Sequence, residues 1–140
     1  MSTHEFSSQL EHLLEGAARL FESTGSGAIL LLVDQRVDWE RVRALAGGAA
    51  VLVAADEESH LAGAADHGLK PIVLDVAGLP VHERLTQALL ECVADELIAP
   101  EAQVVAVYSG FEAGTVDSVS VLRLEEHLGQ LTSRDLRNLE

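Results

Sequence analysis

Hydrophobic and polar positions follow two different patterns along the chain, and this difference separates predicted helices from predicted strands. From Ser8 to Glu22 apolar residues recur every three or four positions, which is typical of one face of an amphipathic helix. Four short, continuously apolar runs come later, and such runs indicate strands that are covered on both faces. They lie at residues 28–33, 50–54, 72–74 and 103–108.

Helical patterns separate these runs. Asp38 precedes the first of them and is a typical N-cap residue, because its carboxylate can accept a hydrogen bond from a free backbone N–H. The stretch Glu57–His67 predicts a short helix that Gly68 ends. The longest helix is predicted at Val81–Ile98, and its residues Arg84–Glu91 carry mixed charge that we interpret as a solvated face.

Strands and helices that alternate through short links predict an α/β fold with three layers, in which helices cover both faces of a mostly parallel five-stranded sheet. We expect the strand order 3-2-1-4-5. The fifth strand, within Val116–Leu124, follows the fourth after a short loop and must therefore run antiparallel at an edge. Its alternation predicts Val119, Val121 and Leu124 on one face, and Ser118, Ser120 and Arg123 on the other.

Composition narrows the classes of partner. The chain has 140 residues, 48% of them apolar but only 4% aromatic, so the core must consist mainly of Ala, Val and Leu. A net charge of −14 repels phosphate backbones, so we expect no direct binding of nucleic acid. No apolar run reaches the roughly 20 residues of a membrane span. The lone Cys92 cannot form an internal disulfide, and we expect a buried thiol in a cytoplasmic protein.

The chain is expected to form one α/β domain, residues 1–124, followed by a tail at residues 125–140. Thr132 and Asp135 have the spacing of a helix start, but a helix of about eight residues is marginal on its own. The tail therefore either packs on the domain or begins a linker helix to a further domain.

Ligands of open α/β sheets bind beyond the carboxyl ends of the strands, where the strand order reverses. Here these ends carry Asp34, Asp56 and Asp75. Three carboxylates at one edge could hold Mg²⁺ or face a hydroxylated ligand. Alternatively, they cap the following helices, a role that suits Asp38 and Asp56.

The loop between the last two strands is the second candidate, because its glycines and hydroxyl groups could bring backbone N–H groups close to an anion. An ordinary hairpin loop is the alternative interpretation. The sequence contains no Gly-x-Ser-x-Gly, His-Glu-x-x-His or phosphate-loop motif, so we expect no catalytic residue, cofactor or metal ligand. The candidate ligand-binding residues are Asp34, Asp56, Ser109, Gly110, Gly114, Thr115 and Ser118.

Residues 84–124 resemble the end of the pyruvate kinase C-terminal domain. They read RLTQALLECVADELIAPEAQVVAVYSGFEAGTVDSVSVLRL. In that domain a long helix, a short turn, a VVVxTG strand, a glycine-rich loop and a TNTxRV strand follow in the same order. The segments AILLLV, AVLVAADEE and KPIVLD resemble its first three strands. The likeness covers residues 27–124 and implies the same sheet. In that domain a Ser/Thr-Gly loop after the first strand can hold an allosteric sugar phosphate. The same place reads VDQRVD here, and Asp34 would repel a phosphate.

A closer likeness concerns residues 108–140, which read YSGFEAGTVDSVSVLRLEEHLGQLTSRDLRNLE. They are similar to the junction between a pyruvate-kinase-like domain and a diadenylate cyclase domain of the DNA integrity scanning type in certain bacterial proteins. The resemblance implies a downstream domain that makes cyclic di-AMP from ATP. Such a cyclase needs an Asp-Gly-Ala and an Arg-His-Arg motif, which this chain lacks, so the chain alone is not expected to be an enzyme.

We therefore expect a non-catalytic regulatory or interaction domain of a diadenylate-cyclase-like protein. It would either sense a small-molecule effector or set the arrangement of a homo-oligomer. The alternative is a stand-alone domain that binds a small molecule or a metal, or a small enzyme that uses the carboxylates at the sheet edge.

Overall fold

Five strands and three α-helices make up the part of the chain that the computed structural model describes, residues 8–74, 79–99, 101–110 and 115–126. The helices are α1 (Ser8–Thr24), α2 (Trp39–Ala46) and α3 (Val81–Ala94). The strands are β1 (Ala28–Leu32), β2 (Val51–Ala55), β3 (Lys70–Val73), β4 (Gln103–Tyr108) and β5 (Ser118–Arg123). Two short 3-10 helices, Glu58–Leu61 and Ala65–His67, connect β2 to β3. The helix start expected at Thr132 lies outside the described residues.

The strands form one sheet in the order β3-β2-β1-β4-β5, which confirms the predicted order. Strands β1 to β4 are parallel, and β5 pairs antiparallel with β4. In the central register Ile29 lies opposite Val51 on one side and opposite Val105 on the other. The chain thus moves outward from β1 to β3 and then returns to the other side of β1, where it adds β4.

Helices cover both faces of the sheet, as the fold class predicted. On one face Leu14 of α1 and Val42 of α2 pack with the odd-numbered residues of β1, such as Ile29. On the other face Leu85 and Leu89 of α3 pack with the even-numbered residues, such as Leu30. Because successive side chains of a strand point to opposite faces, each apolar strand contributes to both cores. A fully buried Leu or Ile contributes about 1.5–3 kcal/mol in this way.

The helix ends follow ordinary capping rules. Asp38 caps α2, as predicted, and its Oδ1 accepts a hydrogen bond of 3.2 Å from the N–H of Arg41. No described helix combines the length and the apolar character needed to cross a bilayer. Cys92 of α3 is fully buried, as predicted. Burial raises the pKa of its thiol to about 12, and the charges of Asp95 and Glu91 add to this shift.

Two predicted helices are wrong in detail. The stretch Glu57–His67 forms the two 3-10 helices instead of one α-helix, because Gly63 takes a φ of 88° between them. Helix α3 ends at Ala94 and not at Ile98. Glu96 has a φ of 58° there, while Leu97 donates to the Cys92 carbonyl and Glu96 to the Val93 carbonyl, which is a Schellman ending.

The predicted faces of β5 were wrong at its end. Val119 packs against the core under α1, whereas Leu122 and the fully buried Leu124 pack against the core under α3. Strict alternation places Arg123 on the same face as Val119 and Val121, two and four residues before it. The prediction had therefore assigned Arg123 and Leu124 each to the wrong face of β5.

Val105 and Val121 offer a matched test of the buried sheet, because the two residues are direct partners in the β4–β5 register. Val105 is fully buried, whereas Val121 is 39% exposed. We expect Val105→Ala to lower the free energy of unfolding by about 2 kcal/mol, through lost burial and a residual cavity. Val121→Ala should cost less than about 0.5 kcal/mol. Urea unfolding measures both, and equal losses would contradict the described packing.

Candidate functional site

The parallel strands bring the candidate residues to one edge of the sheet, which we call the carboxyl edge. It consists of Asp34 after β1, Asp56 after β2, Ser109 and Gly110 after β4, and Ser118 at the start of β5. When the register of β1 is continued two residues past its end, Asp34 is level with Asp56 and with Gly110. The strand order reverses at β1, so this is the position where α/β sheets bind ligands.

The two carboxylates differ in their surroundings. Asp34 is exposed. Asp56 is partly buried, and its Oδ1 lies 3.2 Å from Nε of Arg84, in the first turn of α3. Asp56 is therefore not a helix cap, since the next 3-10 helix begins after Glu57 without a side-chain hydrogen bond. Arg84 is correspondingly not part of a solvated face, as its side chain is only 17% exposed.

This ion pair changes the electrostatics of the predicted carboxylate cluster. The guanidinium of Arg84 offsets the charge of Asp56, so the attraction of this side chain for a cation is reduced. Within the described ranges, no group of three or more His, Cys, Asp and Glu side chains is arranged to hold a metal ion. Asp75, the third carboxylate of the prediction, lies outside those ranges.

Asp117 holds the two ends of the β4–β5 connection together. Its Oδ1 accepts hydrogen bonds from the N–H of Gly110, at 2.7 Å, and from Oγ of Ser118, at 2.8 Å. Its own N–H donates to the carbonyl of Tyr108, at 3.1 Å. The N–H of Gly110 is thus already satisfied, and an anion would have to displace the Asp117 carboxylate to reach it. Ser109 and Thr115 are half-buried, and Gly114 lies outside the described residues.

Gly110 is required by this close approach. A Cβ added to it would lie 2.5 Å from Oγ of Ser118 and 3.1 Å from Cε2 of Tyr108. The hydroxyl of Tyr108 in turn shares a 2.6 Å hydrogen bond with Oγ of Ser120 across the strand pair. The start of the loop therefore packs closely against β5.

Sequence reasoning missed Arg84 and Asp117. Arg84 lies 28 residues from Asp56, so no local spacing indicates the pair. The sequence did indicate a role for Asp117, because an Asp beside a glycine-containing turn commonly accepts hydrogen bonds from backbone N–H groups.

A separate cavity of about 420 Å³ opens at the opposite edge of the sheet, at the amino ends of β1 and β4. Three glutamates line it together with Arg123, whose Nη1 lies 3.8 Å from Oε1 of Glu126. No sequence motif pointed to this cavity. Its lining residues are Gly25, Gly27, Glu101, Ala102, Gln103, Arg123, Glu125 and Glu126.

Comparison with protein families identifies a family that covers most of the chain. A family described as "Probable sensor domain DacZ_P" matches residues 9–132. The chain belongs to this family. The match spans every candidate residue of the carboxyl edge, and DacZ is a diadenylate cyclase. No curated protein matches the chain significantly. The likeness to pyruvate kinase stays a prediction, because the DacZ_P match does not test it.

Gly110→Ala tests the close packing of the loop. The added methyl group should meet Ser118 and Tyr108 and lower the free energy of unfolding by about 1–3 kcal/mol. Gly16→Ala in α1 is the control, because a Cβ at Gly16 meets nothing within 4 Å. This control should gain about 0.5–1 kcal/mol from helix propensity. Thermal or urea unfolding measures both variants, and a neutral Gly110→Ala would show that the loop start is not closely packed.

Proposed function

We propose that this chain is a non-catalytic sensor domain that binds a small-molecule effector at the carboxyl edge and regulates a diadenylate cyclase. Membership of the DacZ_P family carries the proposal, because that family is described as a probable sensor domain. We further propose that residues 1–124 form the sensing domain, that residues 125–140 connect it to a cyclase domain, and that the protein works in the cytoplasm.

The geometry of the carboxyl edge supports an effector site. Polar groups converge there from four neighbouring strands, β2, β1, β4 and β5, at the reversal of strand order. The Asp56–Arg84 pair and the Asp117 contacts are both local arrangements that a ligand could reorganise. Arg84 could turn from Asp56 toward an effector, and Gly110 could exchange Asp117 for a ligand oxygen.

Strand β5 offers a route for the signal. It begins at the carboxyl edge beside Asp117 and ends at Arg123, which lines the cavity at the opposite edge of the sheet. None of its residues is buried, whereas every residue of β1 is. An edge strand with little burial can shift at lower free-energy cost than a central one. A change at the loop could thus move residues 124–126, where a helical turn begins.

A role in assembling copies of the protein is the second candidate. One observation favours it, since Val121 on the edge strand β5 is 39% exposed. Edge strands with exposed apolar residues can pair with another strand. The third possibility, a metal-binding domain or small enzyme that uses the carboxylates, has less support because Arg84 already pairs with Asp56.

The sensing proposal predicts that a cellular small molecule stabilises the chain through the carboxyl edge. Metabolite fractions are added to the purified protein, and the melting temperature is measured. At least one fraction should raise it, because a ligand that binds only the folded state stabilises that state. The double variant Asp56→Ala with Arg84→Ala should lose this increase.

The matched control is Arg123→Ala with Glu126→Ala, which removes an ion pair at the opposite edge and should keep the increase. An increase in melting temperature that persists in the Asp56/Arg84 variant would refute a site at the carboxyl edge. No effect with any fraction, together with a stable dimer, would instead favour assembly.

A further inference from the structure

Arg36 presents an unusual buried donor. Its Nε has almost no solvent exposure and finds no hydrogen-bond partner in the part of the chain that the structure describes. A buried N–H without a partner forfeits its hydrogen bond to water, a cost that folded proteins rarely accept. An unsatisfied buried donor in a native structure needs an explanation, and a bound anionic group that accepts its hydrogen bond is one.

The Nδ1 atom of His60 is likewise buried and has no hydrogen-bond partner among the described residues, but a ring nitrogen is not an obligatory donor. A neutral imidazole can leave one ring nitrogen unprotonated, and Nε2 of His60 faces Glu57 at 3.3 Å. An arginine has no such option, because its Nε–H is a permanent donor on a permanently charged group. The unpaired donor of Arg36 therefore calls for an acceptor.

The position of Arg36 connects it with the carboxyl edge. It lies in the connection from β1 to α2, two residues after Asp34 and two before the N-cap Asp38. Val33 and Val37, on either side, are both buried in the core under α1 and α2. The backbone around Arg36 is thus held in place from both sides, next to the strand where the order reverses.

We propose that Arg36 binds an oxyanion, a carboxylate or a phosphate group, on the effector. The Nε–H and a neighbouring Nη–H of a guanidinium point in the same direction and match two oxygens of such a group. This inference rests on the proposed effector site and specifies the chemistry of its ligand. The exposed carboxylate of Asp34, two residues away, opposes the bound charge and keeps the affinity moderate.

The test measures the melting temperature of the chain at constant ionic strength, with sodium chloride replaced by sodium phosphate or by sodium citrate. One of the two anions should raise the melting temperature. An increase with phosphate indicates a phosphate group on the effector, and an increase with citrate indicates a carboxylate. Arg36→Met should abolish the increase. Arg19→Met, the same change at an exposed position on α1, should keep it.

A second measurement needs no ligand. Because Arg36→Met removes an unpaired buried donor, its melting temperature without added anion should equal that of the wild type or exceed it by roughly 2–4 °C. A fall of several degrees would show that Arg36 already has a structural partner and would overturn the inference. Asp34→Asn should tighten binding of the stabilising anion about two- to fivefold, by removing a repulsive charge.

The outcomes separate this inference from the proposed function. If a metabolite fraction stabilises the wild type and Arg36→Met equally, the oxyanion contact is refuted while the sensor proposal stands. If neither anion stabilises the wild type, the oxyanion contact is also refuted. If no fraction stabilises the protein either, the effector site itself fails.

Discussion

Complete burial of β1 is the constraint on which the rest of the structure depends. All five residues of this strand are buried, and β2 and β4 lie on either side of it. Its backbone groups cannot reach water, so they must pair with the neighbouring strands. The N–H groups of Ile29 and Val33 donate to carbonyls on the β2 side at 2.8 and 2.9 Å, which fixes the register. This register in turn brings Asp34 level with Asp56 and Gly110.

The same constraint explains why polar chemistry collects at one edge. Inside the central strands β1, β2 and β4, side chains must be apolar on both faces, and the next polar positions come where these strands end. Because β1, β2 and β4 are parallel, these positions meet at the carboxyl edge. Arg84 offsets the charge of Asp56 there, and the Asp117 carboxylate accepts hydrogen bonds from Gly110 and Ser118. Arg36 differs, because its buried Nε lacks such a partner in the described part of the chain.

The sequence predicted the sheet well for a physical reason. Runs such as residues 28–33 and 103–108 are continuously apolar, and only a strand covered on both faces suits them. The strand order followed from short connections and right-handed crossovers. Local conformation was harder to predict. Gly63 and Glu96, both at positive φ, ended helical patterns that apolar spacing alone would have continued.

The candidate site could be predicted only in part. Its location follows from the topology, and Asp34, Asp56 and Gly110 were identified on that ground. The partners of these residues were not. The Asp56–Arg84 contact depends on how α3 packs across the sheet, which no local spacing records. The buried state of the Arg36 Nε likewise depends on tertiary packing, and in the sequence Arg36 is an ordinary polar residue of a loop.

We propose that effectors bind at the carboxyl edge and not at the cavity on the opposite edge of the sheet. Amide chemical-shift mapping during titration with a stabilising small molecule tests it most directly. We expect the largest shifts at Asp34, Asp56, Ser109, Gly110 and Ser118. Shifts concentrated instead at Gly25, Gly27, Glu101 and Gln103, which line the opposite cavity, would contradict it.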